Sequence, residues 1–209
     1  MTDINECAIS PKYELEQYVS KKITLIQKLY LSKGGNSNAS RTLAMLRRAV
    51  SKNPGSIPDT WVVEFEGMPN SLVGRGENPS RGEWAIHGAM TLYAVHQQSL
   101  KVPMYQSGRE YDLGASVRKL MQCENKNNVP EGESKLPRRF SALMTVDSLS
   151  ETLYYARQLM HQLRSCSIPL DYVRFAGQLY DIQNPYKADS VKLAWGRSFE
   201  YSGTINSTK

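Results

Sequence analysis

The residues best suited to chemistry are the basic side chains of residues 40–52, SRTLAMLRRAVSK. If this stretch is helical, a rotation of about 100° per residue places Leu43, Leu46 and Val50 on one stripe. The opposite stripe then carries the positive charges of Arg41, Arg48 and Lys52, with Arg47 on its flank. The apolar stripe predicts a contact with a protein core, and the basic side predicts a contact with an anion.

The surrounding sequence leaves these cations without acidic partners. No Asp or Glu occurs in residues 17–58, and the same stretch holds eight Lys and Arg side chains. The whole chain of 209 residues has a net charge of +6. This balance predicts an anionic partner, and three classes fit it: a nucleic acid, an acidic protein or a membrane surface.

Basic residues also occur as adjacent pairs on three predicted helices. The pairs are Arg47–Arg48, Arg118–Lys119 and Arg138–Arg139. Arginine can donate two parallel hydrogen bonds to one phosphate, so such pairs suit binding along a sugar–phosphate backbone without reading bases. Charge and helix face add Lys192 and Arg197 near the end of the chain as further candidate nucleic-acid-binding residues.

The histidines and carboxylates do not show the spacing of a catalytic or metal site. His87 and His96 are nine residues apart, which puts them about half a turn apart on one helix, and His161 is alone on another. Glu64 and Glu66 lie in a short element without a nearby basic partner. We therefore predict core or capping roles for the histidines, no catalytic, metal-binding or cofactor-binding residue, and no enzymatic activity.

The cysteines and the hydropathy pattern favour a cytoplasmic protein. Three cysteines without a CxxC motif suggest neither a disulfide framework nor a zinc site, as expected in a reducing compartment. The first ten residues, MTDINECAIS, lack the basic and apolar regions of a signal peptide. Residues 84–100 contain two His and two Gln and are too polar to cross a bilayer, so no membrane contact is expected.

The elements that carry these residues are predicted to be helices. Ser40, Pro58, Pro169 and Pro185 mark helix starts, and Ser80 with Glu83 forms a capping box before a helix that is uncharged over residues 84–100. A helix without a polar face belongs in the centre of a bundle. A second S-x-x-E box, at residues 148–151, opens another long helix, and VVEF is the only β-like run. The predicted class is all-α, with eight or nine helices in two packed bundles.

The most polar, breaker-rich stretch is ENKNNVPEGESK, at residues 124–135. It predicts a division of the chain into three parts. These are an N-terminal helical bundle at residues 1–123, a linker or flexible loop at 124–136, and a C-terminal helical bundle at 137–209.

Six motifs occur in an order and spacing that are similar to those of one family. They are LRRAV, LYAVHQQ, LGASVRKL, LPRRFSALM, IPLDYVRFAGQLYDIQ and VKLAWGRSF, and they run from about residue 43 to residue 201. With these motifs the chain resembles the small (CasB-type) subunit of the type I-E CRISPR Cascade surveillance complex.

The resemblance implies an all-helical, non-catalytic subunit that works in antiviral defence. Two copies would lie side by side against the guide-RNA backbone subunits and near the large subunit. Their basic surface would hold the target DNA strand and the displaced strand of the R-loop, while the guide RNA reads the sequence. The family's basic positions correspond most clearly to Arg47, Arg48, Arg138 and Arg139.

Two other interpretations of the sequence stay open. A helical DNA-binding regulator would use residues 40–52 as a recognition helix, although the NPGSIP that follows is unlike a tight helix-turn-helix. A pure protein-interaction bundle would carry its charges only for solubility. Measuring DNA binding against salt concentration separates these interpretations.

Overall fold

The computed structural model of the chain describes residues 9–127 and 134–200. These residues form nine α-helices, which confirms the predicted all-α class. The helices are α1 (Pro11–Tyr30), α2 (Ser37–Ala49), α3 (Pro58–Phe65), α4 (Arg81–His96), α5 (Leu113–Lys126), α6 (Leu136–Thr145), α7 (Leu149–Ser165), α8 (Tyr172–Ile182) and α9 (Pro185–Glu200). Within the same residues β-pairing is limited to one isolated bridge, between Tyr105 and Leu170, and the VVEF run is helical in α3.

Helix α4 lies at the centre of the fold, as predicted. The Ser80 hydroxyl accepts a hydrogen bond from the backbone N–H of Glu83 at 3.0 Å, and the Glu83 carboxylate accepts one from the Ser80 N–H at 2.6 Å. This capping box satisfies two N–H groups that the first turn would leave unpaired. Every residue from Ala85 to His96 is buried, because α1, α2, α7 and α8 all pack around this helix.

One hydrophobic cluster joins helices from both ends of the chain. Leu15, Leu46, Met90, Leu159 and Trp195 all belong to it. Helix α8 packs on α1 and α4, and α9 packs on α5, so helices of the two predicted bundles touch. Residues 124–126 of the predicted linker belong to α5, and residues 128–133 lie outside the described part. The division into two bundles stays a prediction.

Helix α2 begins earlier than the sequence predicts. Asn36, not Ser40, is the N-cap, and its side-chain oxygen accepts a hydrogen bond from the Ala39 N–H at 3.0 Å. Asparagine is as strong a cap as serine, and Gly34 and Gly35 just before it adopt the positive φ angles that turn the chain. Ser40 is therefore an exposed residue within α2.

Helix α8 begins later than predicted, and Pro169 is not its first residue. The N–H of Leu170 donates a hydrogen bond to the Met104 carbonyl at 3.0 Å, which holds this segment in an extended conformation. The N-cap is Asp171, whose carboxylate accepts two N–H groups of the first turn at 3.1 Å each. A distant backbone contact thus overrides the local preference of proline for the first helical turn.

Two histidines pair with buried polar groups, as predicted for core residues. His87 Nδ1 lies 3.0 Å from Glu64 Oε2, and both side chains are almost fully buried. His96 Nδ1 lies 3.0 Å from the hydroxyl of Tyr172. The prediction that Glu64 lacks a basic partner is wrong, because that partner lies on α4 rather than nearby in the sequence.

The structure joins Cys123 and Cys166 in a disulfide bond, contrary to the expectation from the sequence. Their Cα atoms are 6.6 Å apart, and the bond links α5 to the residue that ends α7. The two cysteines are 43 residues apart, so no local sequence motif indicates that they pair.

Candidate nucleic-acid interface

Helix α2 separates its apolar and basic residues as its sequence predicts. Leu43 and Leu46 are buried in the core, whereas Arg41, Arg48 and Lys52, which follows the helix, are exposed. Arg47 lies between the two sides and is half-buried. The core contact of the leucines therefore fixes the direction in which the three arginines of α2 point.

Helix α7 carries a second row of basic residues, which are not adjacent in sequence and were not predicted. Arg157, His161 and Arg164 follow one another at intervals of four and three residues, so they share one side of the helix. Between them in sequence, Leu159, Met160 and Leu163 are buried. Helical spacing was the signal that could have revealed this row.

The two rows lie close to each other. Arg157 Nη1 donates a hydrogen bond to Ser51 Oγ, just beyond the end of α2, at 2.7 Å. Burial lowers the pKa of Arg47, and the positive charge of Arg164 lowers this pKa further. Arg164 is itself held by a hydrogen bond to Gln98 Oε1 at 2.8 Å. The ends of α2 and α7 therefore present their cations together.

Helix α6 extends this surface. The pKa of His161 is lowered first by burial and then by the positive charges of Arg164, Arg157 and Arg139. Arg139 thus faces the row on α7, while its neighbour Arg138 is exposed. We name the cations that these contacts bring near one another on α2, α7 and α6 the basic track; its residues are Arg47, Arg48, Lys52, Arg139, Arg157 and Arg164.

The basic track is free of ion pairs with other described residues. In the described ranges, the ion pairs include Lys12–Asp181, Lys187–Asp181, His87–Glu64 and Lys192–Asp147. None of these includes a residue of the track. The like charges of the track remain available to an external anion, which is what a site for phosphate groups requires.

The remaining candidate residues have different surroundings. Lys192 pairs with Asp147 at 3.0 Å, and only 13% of its side chain is exposed. Lys119 donates to the Glu110 carbonyl at 2.7 Å and lies over the ring of Tyr111, and burial lowers its pKa. These two cations are engaged within the protein. The other predicted residues outside the track are the half-buried Arg118 and the exposed Arg41, Arg138 and Arg197.

The described part of the chain offers no group of side chains that could hold a metal ion, because no three His, Cys, Asp or Glu residues come together there in a suitable cluster. In residues 9–127 and 134–200, no helix has both the length and the apolar character needed to cross a bilayer.

Comparison with known proteins identifies one family. The model of the family described as CRISPR-associated protein Cse2 matches residues 42–199. The structure is similar to the crystal structure of CasB from Thermobifida fusca, with 30% identity and a TM-score of 0.69, over 89% of this chain and 97% of that one. The fold is also similar to that of M. ruber CasB, with 17% identity and a TM-score of 0.57, over 88% of this chain and 91% of that one. Among curated proteins, none matches the chain significantly.

The matched region contains eight of the nine helices in part or in full, and the basic track lies entirely inside it. The prediction drawn from the six sequence motifs is confirmed by the family model and by the structural match at 30% identity. The chain therefore belongs to the CRISPR-associated Cse2 family of CasB-type Cascade subunits.

Proposed function

We propose that the protein is a non-catalytic subunit of a type I-E Cascade complex that holds nucleic-acid backbone and stabilises the R-loop. Its ligands would be the target DNA strand and the displaced strand. The observation that carries this proposal is the basic track, in which cations from three helices lie together without acidic partners among the described residues. Base pairing with the guide RNA would read the sequence.

The energetics of R-loop formation make such a surface effective. Exchanging a DNA duplex for an RNA–DNA heteroduplex is nearly balanced in free energy, so contacts to the backbone can decide the outcome. Each phosphate that a cation neutralises releases counterions and adds affinity that falls as salt rises. Such contacts carry no base preference, which suits a complex that must accept any guide.

The proposed protein partners are the guide-RNA backbone subunits, the large subunit and a second copy of this chain. Support comes from large apolar side chains on helices that are not part of the basic track. Leu25 on α1, Trp61 and Val62 on α3 and Leu193 on α9 each expose more than half of their surface. Burying these side chains against a partner would remove their apolar area from water, which favours association.

Charge reversal on α2 tests the proposal in the assembled complex. We expect Arg47→Glu with Arg48→Glu to shorten the lifetime of the R-loop on every target sequence by a similar factor, because backbone contacts are lost. The measurement is R-loop dissociation from Cascade that has been reconstituted with guide RNA, over several unrelated targets.

The matched control is Arg75→Glu with Arg109→Glu, which changes the net charge equally at two exposed residues outside the track. This control should retain R-loops much like the unmodified subunit. Equal losses in both double variants would show that overall charge, not the track, is responsible. A loss confined to certain target sequences would contradict backbone binding.

A further inference from the structure

A small, mostly apolar cavity lies at one end of the basic track. It has a volume of about 250 Å³ and opens between the end of α2, the start of α4 and the start of α7. Two aromatic residues line it, the half-buried Trp84 and Tyr154, which is 58% exposed. Two cations, Lys52 and Arg157, line it as well. The function proposed above does not use this cavity.

Close packing of α4 and α7 forms the inner wall of the cavity. A Cβ atom on Gly88 would lie 2.8 Å from Leu153 Cδ2, so the glycine gives the Leu153 side chain room to pack closely on α4. Leu153 and Val50, which is the C-cap of α2, supply the aliphatic lining. Arg157 connects α7 to the end of α2 through its hydrogen bond with Ser51. The position of this cation at the cavity is therefore fixed by the fold.

The residue types around the cavity match the two parts of a nucleotide. Aromatic rings stack on bases and do so with every base, while Lys and Arg bind the phosphates on either side. The lining includes no carboxylate, so an anionic chain can approach. The volume is below the roughly 300–1,000 Å³ that is typical of sites for drug-sized ligands, which suits a single planar group.

We infer that this cavity accepts one unstacked base of a single nucleic-acid strand whose backbone lies on the basic track. The inference rests on the proposed function and adds a contact to the base itself. A paired base inside a duplex is not available to the cavity, so the contact favours single-stranded over double-stranded ligands. Because stacking tolerates every base, it introduces no sequence preference.

The test uses the full-length protein and two probes, an oligothymidine strand and an abasic strand of the same length. Tyr154→Ala should weaken binding of oligothymidine by about tenfold, the order measured for the loss of one stacked base, and leave binding of the abasic strand unchanged. Tyr154→Phe should bind both probes like the unmodified protein, because the ring is kept. The control is Tyr186→Ala, which removes a tyrosine that is 95% exposed on α9.

The salt dependence of binding separates this inference from the proposal on which it rests. Tyr154→Ala should keep the slope of log K against log salt, whereas Arg47→Glu with Arg48→Glu should flatten it. Unchanged oligothymidine binding by Tyr154→Ala, together with weak binding by the arginine variant, would overturn the base site and leave the proposed function standing. If neither Tyr154→Ala nor the double arginine variant changes binding, the base site and the proposed function are both overturned. Equal binding of the two probes by the unmodified protein would also overturn the base site.

Discussion

At the residue scale, His96 makes the stability of the fold sensitive to acid. Its complete burial lowers its pKa from the ordinary value of 6.5 to about 3. Between these values the unfolded chain binds a proton at His96 and the folded chain does not. The free energy of unfolding therefore carries no penalty from His96 above pH 6.5. It decreases as the pH falls from 6.5 towards 3.

We expect the His96→Gln variant to lose less stability than the unmodified protein between pH 6.5 and pH 4. The difference should approach about 1.4 kcal/mol per pH unit, because one proton separates the two states. Urea denaturation at a series of pH values measures it. If the free energy of unfolding changes with pH in the same way for the two proteins, His96 is not the group that makes stability sensitive to acid.

The surroundings of Lys192 predict a small role in nucleic-acid binding. Its ammonium group pairs with Asp147 at 3.0 Å, so its charge is already compensated within the protein. Lys192→Ala should therefore change the dissociation constant for single-stranded DNA by less than about twofold, whereas Arg48→Ala should weaken binding clearly. An equal effect of the two substitutions in an anisotropy titration would show that the ion pair opens on binding.

The sequence predicted some of these residues well, for physical reasons. The cations of α2 could be placed because one helix determines both their spacing and the burial of Leu43 and Leu46. The pairing of Lys192 with Asp147 could not be predicted, because 45 residues separate the two side chains. The basic row on α7 could have been predicted from the same helical spacing, but its members are not adjacent in sequence.

At the element scale, the packing of α5 on α9 depends on Gly114. A Cβ atom at this position would overlap the Trp195 carbonyl oxygen and lie 2.7 Å from the backbone nitrogen of Phe199. Backbone atoms cannot rotate away as a flexible side chain can, so the two helices would have to move apart.

We expect Gly114→Ala to lower the free energy of unfolding by about 1–3 kcal/mol, which is the usual result of overfilling a packed contact. Thermal or urea denaturation measures this change. Gly76→Ala is the matched control, because a Cβ atom there meets nothing within 4 Å. A Gly114→Ala variant as stable as the control would show that α5 and α9 are not packed this closely.

The local sequence is sufficient to predict where some helices begin and is not sufficient for others. The Ser80–Glu83 box was predicted because both partners lie within one helical turn. The position of Pro185 as the first residue of α9 was predicted because the fixed φ angle of proline suits a first helical turn. The start of α8 depends instead on the contact between Leu170 and Met104, which are 66 residues apart. Long-range hydrogen bonds of this kind have no signature in a local pattern.

At the scale of the whole molecule, the basic track depends on tertiary packing. Its cations come from α2, α6 and α7, and the core that orders these helices also brings Arg47 near Arg164 and Arg157 near Ser51. The net charge of +6 predicted an anionic partner, but the total could not place the charges on one surface. The fold supplies that arrangement, and family membership gives it a setting in CRISPR defence.

The salt dependence of single-stranded DNA binding tests this account most directly. For the unmodified protein, log K should fall linearly with log salt and with the same slope for every sequence. Arg47→Glu with Arg48→Glu should reduce the magnitude of that slope by about 1.4, since each phosphate contact on a single strand contributes about 0.7. An unchanged slope, or a slope that varies with the DNA sequence, would contradict a basic track that binds the backbone.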